Sequence, residues 1–351
     1  MKILIVSPTQ RGIGGIARHV QGLINFLKQN GVEVDIISSE NTFTIPIRKL
    51  KNPSFMISAF LKTRFKKGYD IIHAQNPPAA LAMKDIQAKK ILSIHGIHHE
   101  QVELLHGSTA GDMAKGFEKH ALGWADVITV SSNELYEHYT TMGYTVHYLP
   151  NAMDISSLPA GADRRYEKQL VYAARMSKEK GIMDVLQIAE KLPEDIHLLL
   201  LGSGPEEEIV KKTCENKKNL HFLGYQDKQK TIEIMRGSDI VIQPSIMEGG
   251  LSYTRLEAMA CKVPLISTIA GGSKDALHHM ENAYLVNPND PEGLLNAIIE
   301  LMSDDKKRKE LAENAFKTVQ KYDWKVIGNL YLKLYSDLLE QKFPEKKSSN
   351  Y

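Results

Sequence analysis

Cysteine is almost absent from this chain. Cys214 and Cys261 are the two in 351 residues, too few for a disulfide framework, and neither sits at a metal-ligand spacing. No run approaches the ~18 consecutive apolar residues of a membrane span. The start has no leader layout either, since Lys2 is followed at once by the strand-like Ile3-Leu4-Ile5-Val6 with no small-residue cleavage site. These absences lead us to expect a cytoplasmic protein in a reducing compartment. Acids are missing from one stretch: between Glu40 and Asp70 there is none, while Arg48, Lys49, Lys51, Lys62, Arg64, Lys66 and Lys67 fall there. The net charge of only +2 and the lack of any nucleic-acid motif outside that segment give no reason to expect a nucleic-acid partner.

What is present is an alternation of strand and helix patterns, made twice. Candidate strands in the first half are Lys2–Ser7, Val32–Ser38, Ile71–Ala74, Lys90–Ile94, Val127–Ser131 and Thr145–Leu149. In the second half they are Leu170–Ala174, His197–Gly202, Leu220–Leu223, Ile240–Pro244, Pro264–Ser267 and Ala283–Val286. Their apolar residues run continuously rather than alternating, as in parallel sheets covered on both faces. The expected fold class is therefore α/β, with two doubly wound Rossmann-like domains over residues 1–160 and 165–322. Pro150–Lys168 reads as the linker, the chain beyond Val286 as helical to about Gln341, and Lys342–Tyr351 as a solvated tail.

Gly12-Ile13-Gly14-Gly15-Ile16-Ala17 follows the first strand and formally matches a dinucleotide fingerprint. Two details count against an NAD-dependent oxidoreductase. Four residues, Pro8–Arg11, separate the strand from the first glycine, and the acid expected at the end of the second strand is misplaced, with Asp35 inside it and Glu40 beyond it. The physical content that remains is a backbone able to approach an anion at a helix N-terminus.

In the second half, Arg175 and Lys180 lie five residues apart on a loop between strand and helix, placed to neutralise a diphosphate. Leu201-Gly202-Ser203-Gly204 is a second strand-end turn. In the stretch Gln243–Ala260 a strand ends in Pro244-Ser245, Glu248 precedes Gly249-Gly250, and a helix follows with Glu257 on it. Amides near Leu251, Ser252 and Thr254 can hold phosphate, and a carboxylate can accept two ribose hydroxyls. All three elements fall at carboxyl ends of strands, the crevice side of an open α/β sheet.

Taken together, Gly14–Val20, Ser93–Gly96, Val130–Ser132, Pro150–Asp154, Arg175–Gly181, Leu201–Pro205, Pro244–Ala260 and Tyr322–Trp324 resemble, in order and over nearly the whole chain, the family-4 retaining glycosyltransferases of GT-B fold. The resemblance implies two domains facing a nucleotide-diphosphate sugar, UDP or GDP type, with a final helix at about 325–341 packing back on the first domain. It implies donor contacts at Gly14, Gly15, Arg175, Lys180, Gly202, Gly224, Leu251, Ser252 and Glu257, with the base read by backbone near Gly224 and the ribose by Glu257. His95 and Glu248 match residues near the transferred sugar, and Arg175 and Lys180 would stabilise the leaving diphosphate with no metal and no cofactor. One departure concerns the acids: Glu248 and Glu257 are separated by eight residues, one more than the family's usual spacing, so counting that spacing back from Glu257 lands on Gly249. That irregularity keeps open a GT-B sugar-nucleotide epimerase or a degenerate binding module. The acceptor, a lipid-linked or cell-envelope glycan precursor by the same resemblance, is not legible.

The acid-free stretch reads over Asn52–Tyr69 as a basic helix with Phe55, Met56, Ala59, Phe60 and Phe65 apolar. It fits either a peripheral contact of residues 46–69 with an anionic membrane or a core helix with a solvated basic face.

Overall fold

The structure, a computed structural model, describes residues 1–12, 14–47 and 50–341. Ile13 of the glycine loop, Arg48 and Lys49 of the basic segment, and the expected tail Lys342–Tyr351 lie outside them.

The chain forms two compact units, one of Met1–Met153 with the final helix and one of Asp154–Asp323. The first runs β1 (Lys2–Ser7), α1 (Gly15–Gln29), β2 (Glu33–Ser38), α2 (Lys51–Thr63), β3 (Ile71–Gln75), α3 (Pro77–Ala80), β4 (Lys89–Ile94), α4 (His98–His106), α5 (Ser108–Trp124), β5 (Val127–Val130), α6 (Asn133–Thr141) and β6 (Val146–Tyr148). The second runs β7 (Gln169–Ala173), α7 (Ile182–Lys191), β8 (His197–Leu201), α8 (Glu207–Glu215), β9 (Leu220–Gly224), α9 (Lys228–Arg236), β10 (Ile240–Gln243), α10 (Tyr253–Ala260), β11 (Leu265–Thr268), β12 (Tyr284–Val286), α11 (Pro291–Ser303) and α12 (Asp305–Val319). The last helix, α13 (Trp324–Leu339), returns to the first unit.

Each unit is built on a parallel sheet, ordered β2-β1-β3-β4-β5-β6 and β12-β11-β10-β7-β8-β9. Strand order reverses beside β1 and β3 in one sheet and beside β7 and β10 in the other. In open α/β sheets ligands bind outside the carboxyl ends at such switch points. The loops leaving β1, β3, β7 and β10 are thereby singled out before any side chain is considered.

The strands are buried because both faces are covered. Ile3, Leu4, Ile5 and Val6 alternate between two apolar layers, Leu4 and Val6 packing with Phe55 and Ala59 of α2, Ile3 and Ile5 with Val20, Leu23 and Leu27 of α1. Helix α13 covers the second layer with Trp324, Ile327, Tyr331, Leu334 and Tyr335. Two glycines allow its close crossing of α1: a methyl at Gly22 would strike the Trp324 indole, and one at Gly328 would strike the Phe26 ring.

The expected linker differs in the structure. Residues after Met153 are already pinned to the second unit, Asp163 N–H donating to the Glu233 carbonyl (2.7 Å) and Arg164 pairing with Asp239 (3.0 Å). Proline, glycine and polar side chains read as loose in sequence, but a backbone partner on α9 and a charge partner just before β10 order them. The basic helix is also shorter than Asn52–Tyr69. It ends at Thr63, after which the chain turns through Gly68 (φ 74°) into β3.

Candidate active site

The carboxyl edge of the second sheet holds a stitched set of loops. The buried hydroxyl of Tyr172 on β7 bonds the carbonyls of Lys180 (3.1 Å) and Arg175 (3.4 Å), so one side chain anchors both ends of the two-cation loop. Ile246 N–H donates to the Glu179 carbonyl (2.9 Å), joining that loop to the one leaving β10. The Ala173 carbonyl accepts from Gln243 Nε2 and Thr254 Oγ1, each at 3.1 Å, tying α10 to the end of β7. Gly181 (φ 71°) and Gly202 (φ 137°) are required here, because a methyl on either would run into the carbonyl of Pro244 or Ala174. Gly202 N–H also donates to the carbonyl of Gly224 (2.8 Å), bringing two of the sequence-predicted residues into contact.

Charge is organised around Glu248. Its Oε2 lies 2.8 Å from Lys180 Nζ, and its Oε1 lies 3.6 Å from Nη1 of Arg255. Arg255 was not anticipated from sequence. It is fully buried, its Nε donating to Ser267 Oγ (2.8 Å) and its Nη2 to the Gln243 carbonyl (3.3 Å). A signal existed: Arg255 is the only cation in the apolar stretch Leu251–Cys261, and a cation on a helix buried almost all round needs a buried anion. Burial lowers its pKa and Glu248 opposes that shift. Arg175, by contrast, is half exposed and 3.9 Å from Glu179.

Gly249 and Gly250 lie in the loop before α10, and Gly272 packs so tightly on Gly250 and Leu251 that a methyl there would overlap both. Glu248, not Gly249, faces the cations. Ser252 precedes α10 with no side-chain cap bond, and its buried hydroxyl has no hydrogen-bond partner. Glu257 is buried on α10 and Leu251 is buried beside it. Among the described residues no group of three or more His, Cys, Asp or Glu side chains is placed to hold a metal ion.

In the first unit the glycine loop opens α1 with Gly14 as its N-cap and Gly15 as its first residue. Glu40 accepts the backbone N–H of Gln10 (3.1 and 3.2 Å) and of Arg11 (3.1 Å). This acid therefore ties the loop internally, the opposite of the ribose contact a dinucleotide fingerprint needs. Burial raises its pKa, but the bonds from Ser38, Arg11 and Gln10 outweigh that and lower it.

His95 follows β4 and is half-buried. Its N–H donates to Asn76 Oδ1 (3.0 Å), and its Nε2 meets Gln75 Oε1 (2.8 Å). The neighbouring His99 is engaged elsewhere, its Nδ1 2.9 Å from Glu118. Burial pushes the pKa of His95 down to about 4 and that of His73 on β3 down to about 3. Both are therefore neutral when folded, while the unfolded chain takes up protons below about 6.5. Stability is complete above that pH and is lost as pH falls through 6.5 towards 4 and 3, by roughly 2 kcal/mol per histidine at pH 5. Urea unfolding at pH 7.5 and pH 5 checks this; an unchanged midpoint would contradict it.

Two Rossmann-like units, each a parallel sheet with a strand-order switch point, make up the GT-B architecture of sugar-nucleotide transferases. Residues 13–157 match the family model for glycosyltransferase family 4, and residues 161–318 match that for glycosyl transferases group 1. The chain belongs to this family and is a glycosyltransferase that uses a nucleotide sugar. It is 27% identical over 96% of its length to the uncharacterised glycosyltransferase MJ1178 of Methanocaldococcus jannaschii, covering 99% of that protein. It is 23% identical over 95% to the phosphatidyl-myo-inositol mannosyltransferase of Mycolicibacterium smegmatis, covering 93% of it. In fold it is similar to Anabaena Alr3699/HepE in complex with UDP-glucose, with a TM-score of 0.73 and 18% identity over 96% of this chain and all of that one.

Proposed function

We propose that this transferase retains anomeric configuration and draws its sugar from a UDP-type donor without a metal. The observation that carries the reading is the cation set at the β7/β10 switch point: Arg175 half exposed, and Lys180 held by Glu248 at 2.8 Å. Cleaving the sugar–phosphate bond builds negative charge on the diphosphate and positive charge on the ring. Lys180 and Arg175 bind the first more strongly than the intact donor, which lowers the barrier. As Lys180 turns to the diphosphate, Glu248 is left facing the sugar with Arg255 beneath it, and the amides opening α10 supply further donors. Glu257 takes the ribose hydroxyls. In the first unit, Gly14 and Gly15 leave the backbone opening α1 open to an anion, and neutral His95 meets a substrate hydroxyl. UDP is preferred over GDP because Alr3699/HepE is a neighbour in complex with UDP-glucose. Calorimetric titration of UDP, GDP and ADP in EDTA tests this. Micromolar UDP binding, weakened about tenfold or more by Arg175→Ala, is expected; binding that needs added Mg²⁺ or Mn²⁺ would overturn the metal-free reading.

The acceptor is proposed to lie at a membrane surface. Of the apolar residues that the sequence left open between a membrane-facing and a core-facing side, Phe55 and Ala59 are in the core and Phe65 (87% exposed) points out, together with Ile57, Leu61 and Phe43 (74% exposed). Exposed Lys67 flanks them, and the segment has no acid. Arg64 is less available, being paired with Asp85 at 2.8 Å. No described helix is long and apolar enough to cross a membrane, so the contact is interfacial. The relative's phosphatidyl-myo-inositol acceptor supports a lipid substrate. Cosedimentation with anionic vesicles at low salt is expected and should fall several-fold in Leu61→Ser/Phe65→Ser; equal sedimentation of the variant would remove this surface from the reading.

A further inference from the structure

His95 ends a chain of buried polar groups that no step above uses. Its Nε2 meets Gln75 Oε1 at 2.8 Å, and Gln75 Nε2 meets His73 Nε2 at 3.1 Å. His73 Nδ1 lies 2.8 Å from the Tyr335 hydroxyl, and its Nε2 lies 2.6 Å from Ser93 Oγ, itself 2.6 Å from Thr129 Oγ1. Gln75, His73, Ser93, Thr129 and Tyr335 are all buried, and the chain crosses β3, β4, β5 and α13.

An amide has one end that donates and one that accepts. With Gln75 oriented this way, its nitrogen donates to His73 Nε2, which must be bare, so His73 carries its proton on Nδ1 and gives it to Tyr335. The Gln75 oxygen accepts from His95, which must carry its proton on Nε2 and keep a lone pair on Nδ1. Which ring nitrogen bears the proton follows from the partner of the other. We propose that Gln75, His73 and Tyr335 are positioning residues that hold His95 in the neutral, Nε2-protonated form, so that it meets substrate as a hydrogen-bond acceptor and not as an acid. This rests on the reading that His95 lies at the transfer site.

A second observation points the same way. Asn76, next to Gln75 and before Pro77, has φ 65° and ψ 159°, a region that side-chain-bearing residues avoid. The conformation places Asn76 Oδ1 to accept the His95 backbone N–H, while Asn76 N–H donates to the Ser93 carbonyl at 2.8 Å. Strain is tolerated where it fixes the backbone of His95. Among the described residues, the ionisable groups facing that ring are His19, whose ring centroid is 5.0 Å away, and His73; Tyr331 lies behind His19, with its hydroxyl 3.1 Å from His19 Nε2. No carboxylate belongs to the set, so nothing in it favours an imidazolium.

Nitrogen-15 NMR of the full, histidine-labelled protein reads the tautomer directly. In the wild type, His95 should show a protonated Nε2 that persists to about pH 5. Gln75→Glu, nearly the same shape, should stabilise the imidazolium and raise the His95 titration by a pH unit or more, moving the acid limb of kcat with it. Gln75→Leu should mix the tautomers and lower kcat about tenfold, the worth of one good hydrogen bond, with KM for the nucleotide sugar unchanged. Tyr335→Phe should shift the His73 tautomer first and that of His95 less. An Nδ1-protonated His95 in the wild type, or unchanged spectra in Gln75→Leu and Gln75→Glu, would overturn the relay. Full activity of His95→Ala would overturn the site reading on which the proposal stands, whatever the spectra show.

Discussion

Lys180→Ala should lower kcat/KM by roughly 10²–10³-fold, the usual loss when one preorganised donor to a developing negative charge is removed. Two effects combine. The diphosphate loses a cation, and Glu248 loses its 2.8 Å partner, keeping only Arg255 at 3.6 Å. A carboxylate released into the donor site repels the phosphates, so Lys180→Ala should be worse than Arg175→Ala, whose 3.9 Å contact is with the partly buried Glu179. Removing the carboxylate as well, in Lys180→Ala/Glu248→Gln, should recover nucleotide affinity but not kcat, because the proposed function puts Glu248 at the sugar. Steady-state kinetics with calorimetry of UDP on the same variants separates these terms. Equal losses for Lys180→Ala and Arg175→Ala would show that the Glu248 pair is not coupled to the donor.

Arg255→Ala should destabilise the protein by about 3–5 kcal/mol, the cost of leaving one member of a buried ion pair without its partner. Arg255 is fully buried, and three of its guanidinium bonds end on Ser267 and on the carbonyls of Gln243 and Thr268, so its loss also unties the ends of β10 and β11. Arg255→Met fills the volume but restores no charge and should recover only part of the loss. Urea unfolding measures both variants. A change below ~1 kcal/mol for alanine would mean that Lys180 alone satisfies Glu248.

All twelve strands stand within a residue or so of where apolar runs place them, because a parallel sheet covered on both faces needs continuous β-branched and aliphatic sequence, a local signal. The glycines at 181 and 202 and the Arg175/Lys180 pair were legible for the same reason: short-range backbone demands and charges on one loop. Sequence by itself therefore determined the two-sheet class, the strand-end loops and the family, whereas the strand order that makes some of those loops switch points came from the fold. Other features needed the fold. Residue-by-residue apolarity made Phe55 and Phe65 look alike, yet one is in the core and the other is solvent-exposed, because burial depends on which face the sheet covers. Arg255 drew no reading from the sequence, and only the fold shows it enclosed beside β10 and β11 with Glu248 as its partner. The histidine chain joins residues 73, 75, 93, 95 and 335, from three elements far apart in sequence. No periodicity records such a chain, since hydrogen-bond partners across a core are chosen by packing and not by spacing.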